Sequence, residues 1–125
     1  MAEGYLSKDI LGCQFSIYPL QQADIDTPIQ AAIEAAAASG CAVRVGNLST
    51  LLWGSEEEIF AALRAALKAA TASGPAVMSA TLAPGMPSDE LVRQIQGRVT
   101  PAELPSEAAG IVQAARQERA SKNEA

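Results

Sequence analysis

The chain has 125 residues and a formal net charge of −5, from nine basic and fourteen acidic residues. This length suits one main domain. The chain contains no histidine and only two widely spaced cysteines, which excludes Ser-His-Asp and Cys-His nucleophile systems, histidine-containing zinc sites and four-thiolate zinc sites. The basic residues are scattered singly, so nucleic acid is not an expected partner.

Apolar residues make up 49% of the chain, but 26 of them are alanine. We therefore expect a small, tightly packed core. No stretch approaches the length of a membrane-spanning segment, and residues 1–12 lack the basic and apolar regions of a signal peptide. These features predict a cytoplasmic protein that does not insert into membranes.

The first half of the chain predicts a strand, a helix and a hairpin. Residues 10–19 alternate apolar and polar side chains and end in proline, which is typical of a strand. Residues 24–39 carry isoleucines at four-residue spacing and are followed by glycine, the pattern of an amphipathic helix. Residues 41–54 hold two β-prone runs separated by the turn-forming pair Gly46-Asn47, which predicts a hairpin.

A second helix and a last strand follow. Ser55 and Glu58 have the spacing of a capping box, so a helix is expected from there to about Ser73. Residues 76–83 form the last predicted strand. This order predicts an α+β, ferredoxin-like βαββαβ sandwich, in which two helices cover one face of a four-stranded antiparallel sheet and the first and third strands are central.

The predicted domain organisation follows a change in composition after Pro87. We expect a ferredoxin-like ligand-binding domain over residues 1–87 and a helical or partly disordered C-terminal extension over residues 88–125. Within the extension, short helices are predicted from about residue 88 to 95 and from about residue 106 to 119.

The uncovered face of this sheet is the first place to look for a site. Gln14, Ser16 and Tyr18 would project there from the first strand, and Ser79 and Thr81 from the last strand if its large apolar residues face the core. Hydroxyl and amide groups beside an aromatic ring are typical of a small-molecule site. The alternatives are an ordinary solvated face or a face covered by a second subunit.

The third strand offers a second candidate. Trp53 lies near its end, where a ligand could stack on the ring; taken alone, however, the residue is more typical of a tryptophan in the core or in an interface. The phase of this strand is ambiguous, because leucines fall on both of its sides. The glutamates that follow are interpreted as helix-start charges, and Cys13 as a small core residue. No metal site or cofactor is predicted.

Four segments together resemble the YkoF-like thiamine/hydroxymethylpyrimidine-binding family. They are CQFSIYPL, the helix after it, STLLWG followed by SEEEIFAAL, and VMSATLAPGMP, within residues 10–87. The resemblance implies a ferredoxin-like domain that binds thiamine or its pyrimidine moiety in thiamine salvage or transport, with Gln14, Ser16, Tyr18 and Thr50 as ligand residues. Met86 stands where the family has a cysteine.

The leading hypothesis is therefore non-catalytic binding of thiamine or a related pyrimidine, with Tyr18 or Trp53 stacking on the ligand. The family's two tandem domains imply that two of these chains pair, so a homodimer or higher homo-oligomer is expected. The alternative is a homo-oligomeric interaction module whose sheet face is the dimer interface and whose tail docks a partner. An enzyme is a third, weaker hypothesis, because no pair of residues has a spacing that specifies a catalytic site.

Overall fold

The computed structural model describes residues 4–105. Its helices and strands follow one another along the chain in the predicted order, so the ferredoxin-like α+β fold is confirmed. The elements are β1 (Leu11–Pro19), α1 (Asp26–Ala38), β2 (Ala42–Val45), β3 (Thr50–Gly54), α2 (Glu56–Ala70), β4 (Ala76–Pro84) and α3 (Asp89–Gln96).

The four strands form one antiparallel sheet in the order β2-β3-β1-β4, with β1 and β3 in the centre. Cys13 lies opposite Leu52 on one side and opposite Leu82 on the other. Directly opposed residues of antiparallel strands point to the same face. The buried Cys13 and Leu52 therefore mark the face that packs against α1 and α2.

The opposite face of the sheet, called the open face below, carries the polar side of β1. The register places Gln14 between Leu51 and Thr81, and Gly12 opposite Trp53. The ambiguous phase of the third strand is thereby resolved: Trp53 belongs to the open face, and Leu52, with no exposed surface, belongs to the core.

Alanine forms most of the helix surface in contact with the core. On α2 the buried residues are Ile59 and three alanines, and on α1 they are Pro28 and two alanines. Apart from Ile59, larger apolar residues lie further out, since Ile25, just before α1, is 51% exposed and Leu67 is 39% exposed. The two helices therefore pack through methyl groups, with larger side chains at the margins.

Side chains accept backbone amides at the start of all three helices of residues 4–105. At α1, Asp26 N and Thr27 N donate to Asp24 Oδ1 at 3.1 and 3.2 Å. The predicted capping box of α2 is confirmed, because Glu58 N donates to Ser55 Oγ at 3.2 Å and Ser55 N donates to Glu58 Oε1 at 2.9 Å. At the start of α3, Leu91 N donates to Ser88 Oγ at 3.2 Å. These bonds satisfy amide groups that a helix leaves unpaired at its first turn.

The segment before β1 pairs with the segment after β4. Leu6 N donates to Met86 O at 2.9 Å, and Ser88 N donates to Gly4 O at 2.7 Å. Met86 lies directly over Gly12, so that a Cβ atom at Gly12 would be 2.3 Å from Met86 Sδ. This pairing covers one end of the open face.

The chain divides into two compact units, residues 1–92 and 93–125. The described part of the second unit contains the last turn of α3, in which Gly97 N donates to Arg93 O at 2.9 Å. Val99 and Leu104 follow with highly exposed side chains. The helix predicted over residues 106–119 lies outside the described residues. Within residues 4–105, none of the helices has the length and apolar character needed to cross a bilayer.

Candidate functional site

A cavity of about 470 Å³ lies beside the second half of β1. It exists because the two central strands differ in length. β3 is paired with β1 only over Leu11–Phe15, whereas β1 continues to Pro19. The space beside residues 16–19 is enclosed instead by isoleucines of α1 and by the tip of the β2-β3 hairpin, residues 46–49.

Two side chains of β1 hold the hairpin tip in position. Ser16 Oγ donates to Leu48 O at 3.3 Å, and Gln14 Nε2 donates to Ser49 Oγ. The tip is closed by a bond of 2.9 Å from Gly46 N to Ser49 O, and a Cβ at Gly46 would be 2.8 Å from that oxygen. A glycine is therefore required for the turn that forms this wall.

The cavity lining is mainly apolar and carries no carboxylate, amine or thiol side chain. Its polar side chains are hydroxyls and one amide, contributed by Ser16, Tyr18, Asn47, Ser49 and Thr50. Such a lining suits a mostly uncharged ligand with a flat apolar body and a few hydrogen-bonding groups.

Two carboxylate residues are the sequence neighbours of a residue that lines the cavity. Ile25, a lining residue, stands between Asp24 and Asp26. Hydrogen bonds from the Thr27 hydroxyl and amide and from the Asp26 amide lower the pKa of Asp24, so this exposed carboxylate stays ionised at neutral pH.

The structure brings together three of the seven predicted site residues. Ser16, Tyr18 and Thr50 line the cavity, and Gln14 contacts it through Ser49. Thr50 is buried at 4% exposure and lies opposite Phe15, on the helix-facing side of the sheet, so it approaches the cavity from the other face than Gln14 does.

The remaining three predicted residues lie elsewhere. Ser79 and Thr81 are exposed on the open face of β4, opposite Ser16 and Gln14. Trp53 lines a separate cavity of about 170 Å³ with the segment after β4. Because the two cavities share no lining residue, only Tyr18 offers an aromatic ring from the predicted set to a ligand in the larger one.

Trp53 already has a cationic neighbour. The Arg44 guanidinium carbon is 5.2 Å from the centroid of the Trp53 ring, and its two terminal nitrogens donate to both Asp89 carboxylate oxygens at 3.0 and 3.3 Å. These bonds to Asp89 raise the pKa of Arg44, which stays charged. A cationic ligand would have to displace this guanidinium to stack on that side of the ring.

Groups that could suggest other chemistry have structural explanations. Burial raises the pKa of both Cys13 and Cys41, and both are free thiols in the core. Glu58 has a lowered pKa because it accepts the Ser55 amide in the capping box. Among residues 4–105, no group of three or more Cys, Asp or Glu side chains has the arrangement needed to hold a metal ion.

Sequence reasoning missed the hairpin tip as a wall of the site. Asn47 and Leu48 line the cavity, and Leu48 is 94% exposed. It also missed that Ile29 of α1, and Ile25 just before α1, line this cavity. An exposed leucine beside the turn-forming Gly46-Asn47 pair was the available signal, because a surface turn rarely needs a large apolar side chain.

Comparison with known proteins places this chain among relatives of one fold. A family model described as the YkoF-related family matches residues 10–89. No curated protein matches the chain. A domain of unknown function, DUF77, from Bacillus cereus is similar in structure, with a TM-score of 0.61 and 23% identity over 74% of this chain and 95% of the other.

Two further solved structures are similar. A hypothetical protein from Methanocaldococcus jannaschii has a TM-score of 0.61 and 21% identity over 73% of this chain and 99% of the other. A Thermotoga maritima protein, whose name proposes a role in thiamine biosynthesis or salvage, has a TM-score of 0.50 and 19% identity, covering 69% and 98% of the two chains. At these identities the likeness concerns the fold.

Proposed function

Because this chain belongs to the YkoF-related family, we propose that it binds thiamine or the hydroxymethylpyrimidine moiety of thiamine, without converting it, in the cavity between α1 and the hairpin tip. The observation that carries the proposal is that Ser16 and Tyr18 from the open face and Thr50 from the helix-facing side line one cavity. The name of the Thermotoga maritima relative supports a thiamine-related role.

The chemistry of the cavity suits an aminopyrimidine. A volume of about 470 Å³ is in the range of small-molecule sites. An aminopyrimidine has a flat ring that can lie against Tyr18 or the isoleucines of α1, and an edge of donors and acceptors that hydroxyl groups can bind. The unpaired side of β1, at residues 16–19, adds main-chain groups that need hydrogen-bond partners.

The thiazolium ring of thiamine carries a positive charge, which the lining itself does not neutralise. The surrounding field favours it, since the chain has a net charge of −5 and Asp24 and Asp26 flank Ile25 at the cavity wall. We therefore propose that the pyrimidine enters the cavity and the thiazolium stays towards the solvent. The site would then hold a ligand for salvage or transport.

Thermal unfolding in the presence of candidate ligands tests this proposal. Thiamine, hydroxymethylpyrimidine and thiamine phosphates should each be added to the full chain at millimolar concentration. A ligand at about 100 times its dissociation constant stabilises the folded state by about 2.7 kcal/mol, which raises the melting temperature by on the order of 10 °C for a domain of this size. The absence of a shift with all of these compounds contradicts the proposal.

A pair of serine variants tests whether the ligand lies in this cavity or on the open face of the sheet. Ser16 and Ser79 are opposed on neighbouring strands, but only Ser16 lines the cavity. We expect Ser16→Ala to weaken binding by about tenfold, because it removes a hydroxyl from the cavity lining together with the bond from Ser16 Oγ to Leu48 O that holds the hairpin tip. Ser79→Ala should leave binding unchanged. Titration calorimetry measures both. Equal losses in the two variants would show that the ligand sits on the open face and not in this cavity.

The alternative function, a homo-oligomeric interaction module that uses the sheet face, is separated from ligand binding by Tyr18→Ala. Tyr18 is 54% exposed and lines the cavity. Under the binding proposal this variant lowers ligand affinity at unchanged molecular mass. A change in mass by light scattering, with no ligand effect, would favour the interaction module.

A further inference from the structure

The cavity proposed for the ligand has no fixed positive charge in its lining. None of the lysines and arginines of residues 4–105 lines it, and its polar side chains are hydroxyls and one amide. A phosphate group carries a charge of about −1.5 to −2 at neutral pH. When such a charge leaves water, it needs cations or several converging amides as partners. Hydroxyl groups and one side-chain amide compensate only part of it.

Main-chain amides beside the cavity are also few. Residues 16–19 of β1 pair with β4, and successive residues of a central antiparallel strand direct their main-chain groups to opposite neighbours. Only every second residue of this stretch therefore directs an amide towards the cavity, and Pro19, at its end, has no N–H group. A phosphate cradle is built from several converging N–H groups, which this part of β1 does not supply.

The start of α1, which follows the lining residue Ile25, already has a carboxylate on its amides. Asp24 Oδ1 accepts the Asp26 and Thr27 amides at 3.1 and 3.2 Å, and the Thr27 hydroxyl donates to Asp24 Oδ2. Free amides at the start of a helix commonly bind phosphate, but here Asp24 takes that place. Its ionised carboxylate also repels a second anion.

The arginine next to the cavity wall in the sequence is directed away from the cavity. Arg44 precedes the lining residue Val45, but it lies opposite Leu51, on the open face of the sheet. Its guanidinium donates to both carboxylate oxygens of Asp89 and lies over the Trp53 ring, beside the separate smaller cavity. The charge of Arg44 is therefore balanced by Asp89 and is not offered to a ligand of the larger cavity.

We propose that this site binds the unphosphorylated ligands, hydroxymethylpyrimidine and thiamine, and excludes their phosphate esters, with Asp24 as a specificity-determining residue. The inference rests on the proposed function. Inside the cavity a phosphate has no cationic partner, and towards the solvent it meets the negative field of a chain with a net charge of −5. The ester of hydroxymethylpyrimidine is excluded more strongly, because its phosphate is attached one carbon from the ring and must follow the ring into the cavity.

Titration calorimetry on the full chain at low salt compares each compound with its own phosphate ester. We expect the phosphate of hydroxymethylpyrimidine to bind at least about tenfold more weakly than hydroxymethylpyrimidine itself. Thiamine monophosphate should bind about two- to fivefold more weakly than thiamine. Equal affinity within both pairs overturns the selectivity and leaves the proposed function standing. If none of the four compounds binds, the proposed function fails and this inference fails with it.

Asp24→Asn tests the specificity-determining residue, because asparagine keeps an oxygen that can accept the α1 amides and removes only the charge. We expect the ratio of thiamine affinity to thiamine monophosphate affinity to fall by about two- to fivefold, with no change for uncharged hydroxymethylpyrimidine. Asp9→Asn, at an exposed carboxylate in a different groove, makes the same change in net charge and is the control. Melting temperatures check that both variants fold. An unchanged ratio in Asp24→Asn, or an equal change in both variants, overturns the role of Asp24.

Discussion

Single contacts at the open face show how one residue determines what its neighbour can be. Gly12 is buried although it has no side chain, because Met86 occupies the place where a Cβ atom would be. Met86 belongs to the segment that also pairs with Leu6. The resemblance to the YkoF-like family implies a cysteine at this position, and a methionine reaches further over the sheet.

Replacing Gly12 tests this contact at the residue scale. Gly12→Ala places a methyl group 2.3 Å from Met86 Sδ and 3.2 Å from Met86 Cβ, so the methionine must move. We expect a loss of about 1–2 kcal/mol in the free energy of unfolding, the usual cost of overpacking. Urea denaturation measures it. Adding Met86→Ala should relieve most of the loss that Gly12→Ala causes, and an additive double variant would contradict a direct contact.

At the scale of elements, helix α2 has the strongest local signal in the chain. Ser55 and Glu58 exchange hydrogen bonds at its first turn, and Glu56 and Glu57 add negative charge near the positive end of the helix dipole. α1 is capped differently, by the Asp24 carboxylate, which accepts the Asp26 and Thr27 amides. The beginnings of both helices are therefore encoded locally, that of α2 by a reciprocal pair of bonds.

The capping box predicts how much stability is lost when its serine is replaced. We expect Ser55→Ala to lower the free energy of unfolding by about 1 kcal/mol at neutral pH, measured by denaturant unfolding. Ser73→Ala, at an exposed serine beyond the end of α2, is the control and should change stability little.

The sign of the pH effect follows from Glu58. Bonds from Ser55 lower the pKa of Glu58 in the folded chain. A lowered folded-state pKa stabilises the fold above the unfolded value and ceases to do so as the pH falls through the folded value. The stability difference between the native chain and Glu58→Gln should therefore shrink on acidification below about pH 4. A difference independent of pH would contradict a role for the ionised carboxylate.

At the scale of the whole molecule, the core is thin and rich in alanine. Ala32 and Ala36 of α1 and Ala62, Ala66 and Ala70 of α2 have no exposed surface. The large side chains of the core, such as Phe15 and Leu52, come mainly from the strands. The helices therefore lie close to each other and to the sheet, which leaves little room for larger side chains.

Enlarging one of these alanines tests the packing. Ala66→Leu adds three carbon atoms to a fully buried site, and we expect a loss of about 1–3 kcal/mol or more in the free energy of unfolding. Ala61→Leu, on the exposed side of the same helix, should change it by less than about 0.5 kcal/mol. Thermal and urea unfolding compare the two. Equal effects would mean that the helix faces are not distinguished by packing.

The architecture could be predicted from the sequence because its signals are local. The period of two in residues 10–19 and the capping box at Ser55 each specify an element without reference to the rest of the chain. Residues Ser16 and Tyr18 were placed correctly on the open face for the same reason, since strand alternation alone decides their side.

The arrangement of the site could not be predicted, because it depends on distant contacts. Leu51, Leu52 and Trp53 allow either phase of β3, and only pairing with β1 decides between them. The sequence predicts Trp53 as a second candidate for stacking on the ligand, but the structure places it beside Arg44 and Asp89, 45 residues apart, in a separate cavity. The sequence also contains no local signal for the residue at which β3 begins to pair with β1.

Pairing of β3 with β1 begins only at Thr50, after the hairpin tip, and this has a consequence for how the fold can change over evolution. The cavity occupies the place where a longer hairpin would continue the sheet beside residues 16–19 of β1. An insertion of a few residues on each arm of the hairpin would fill that place with backbone, whatever side chains it carried. The length of the hairpin thus determines whether a chain of this architecture has space for a ligand at this position. The side chains that line the space can then affect only which ligand fits.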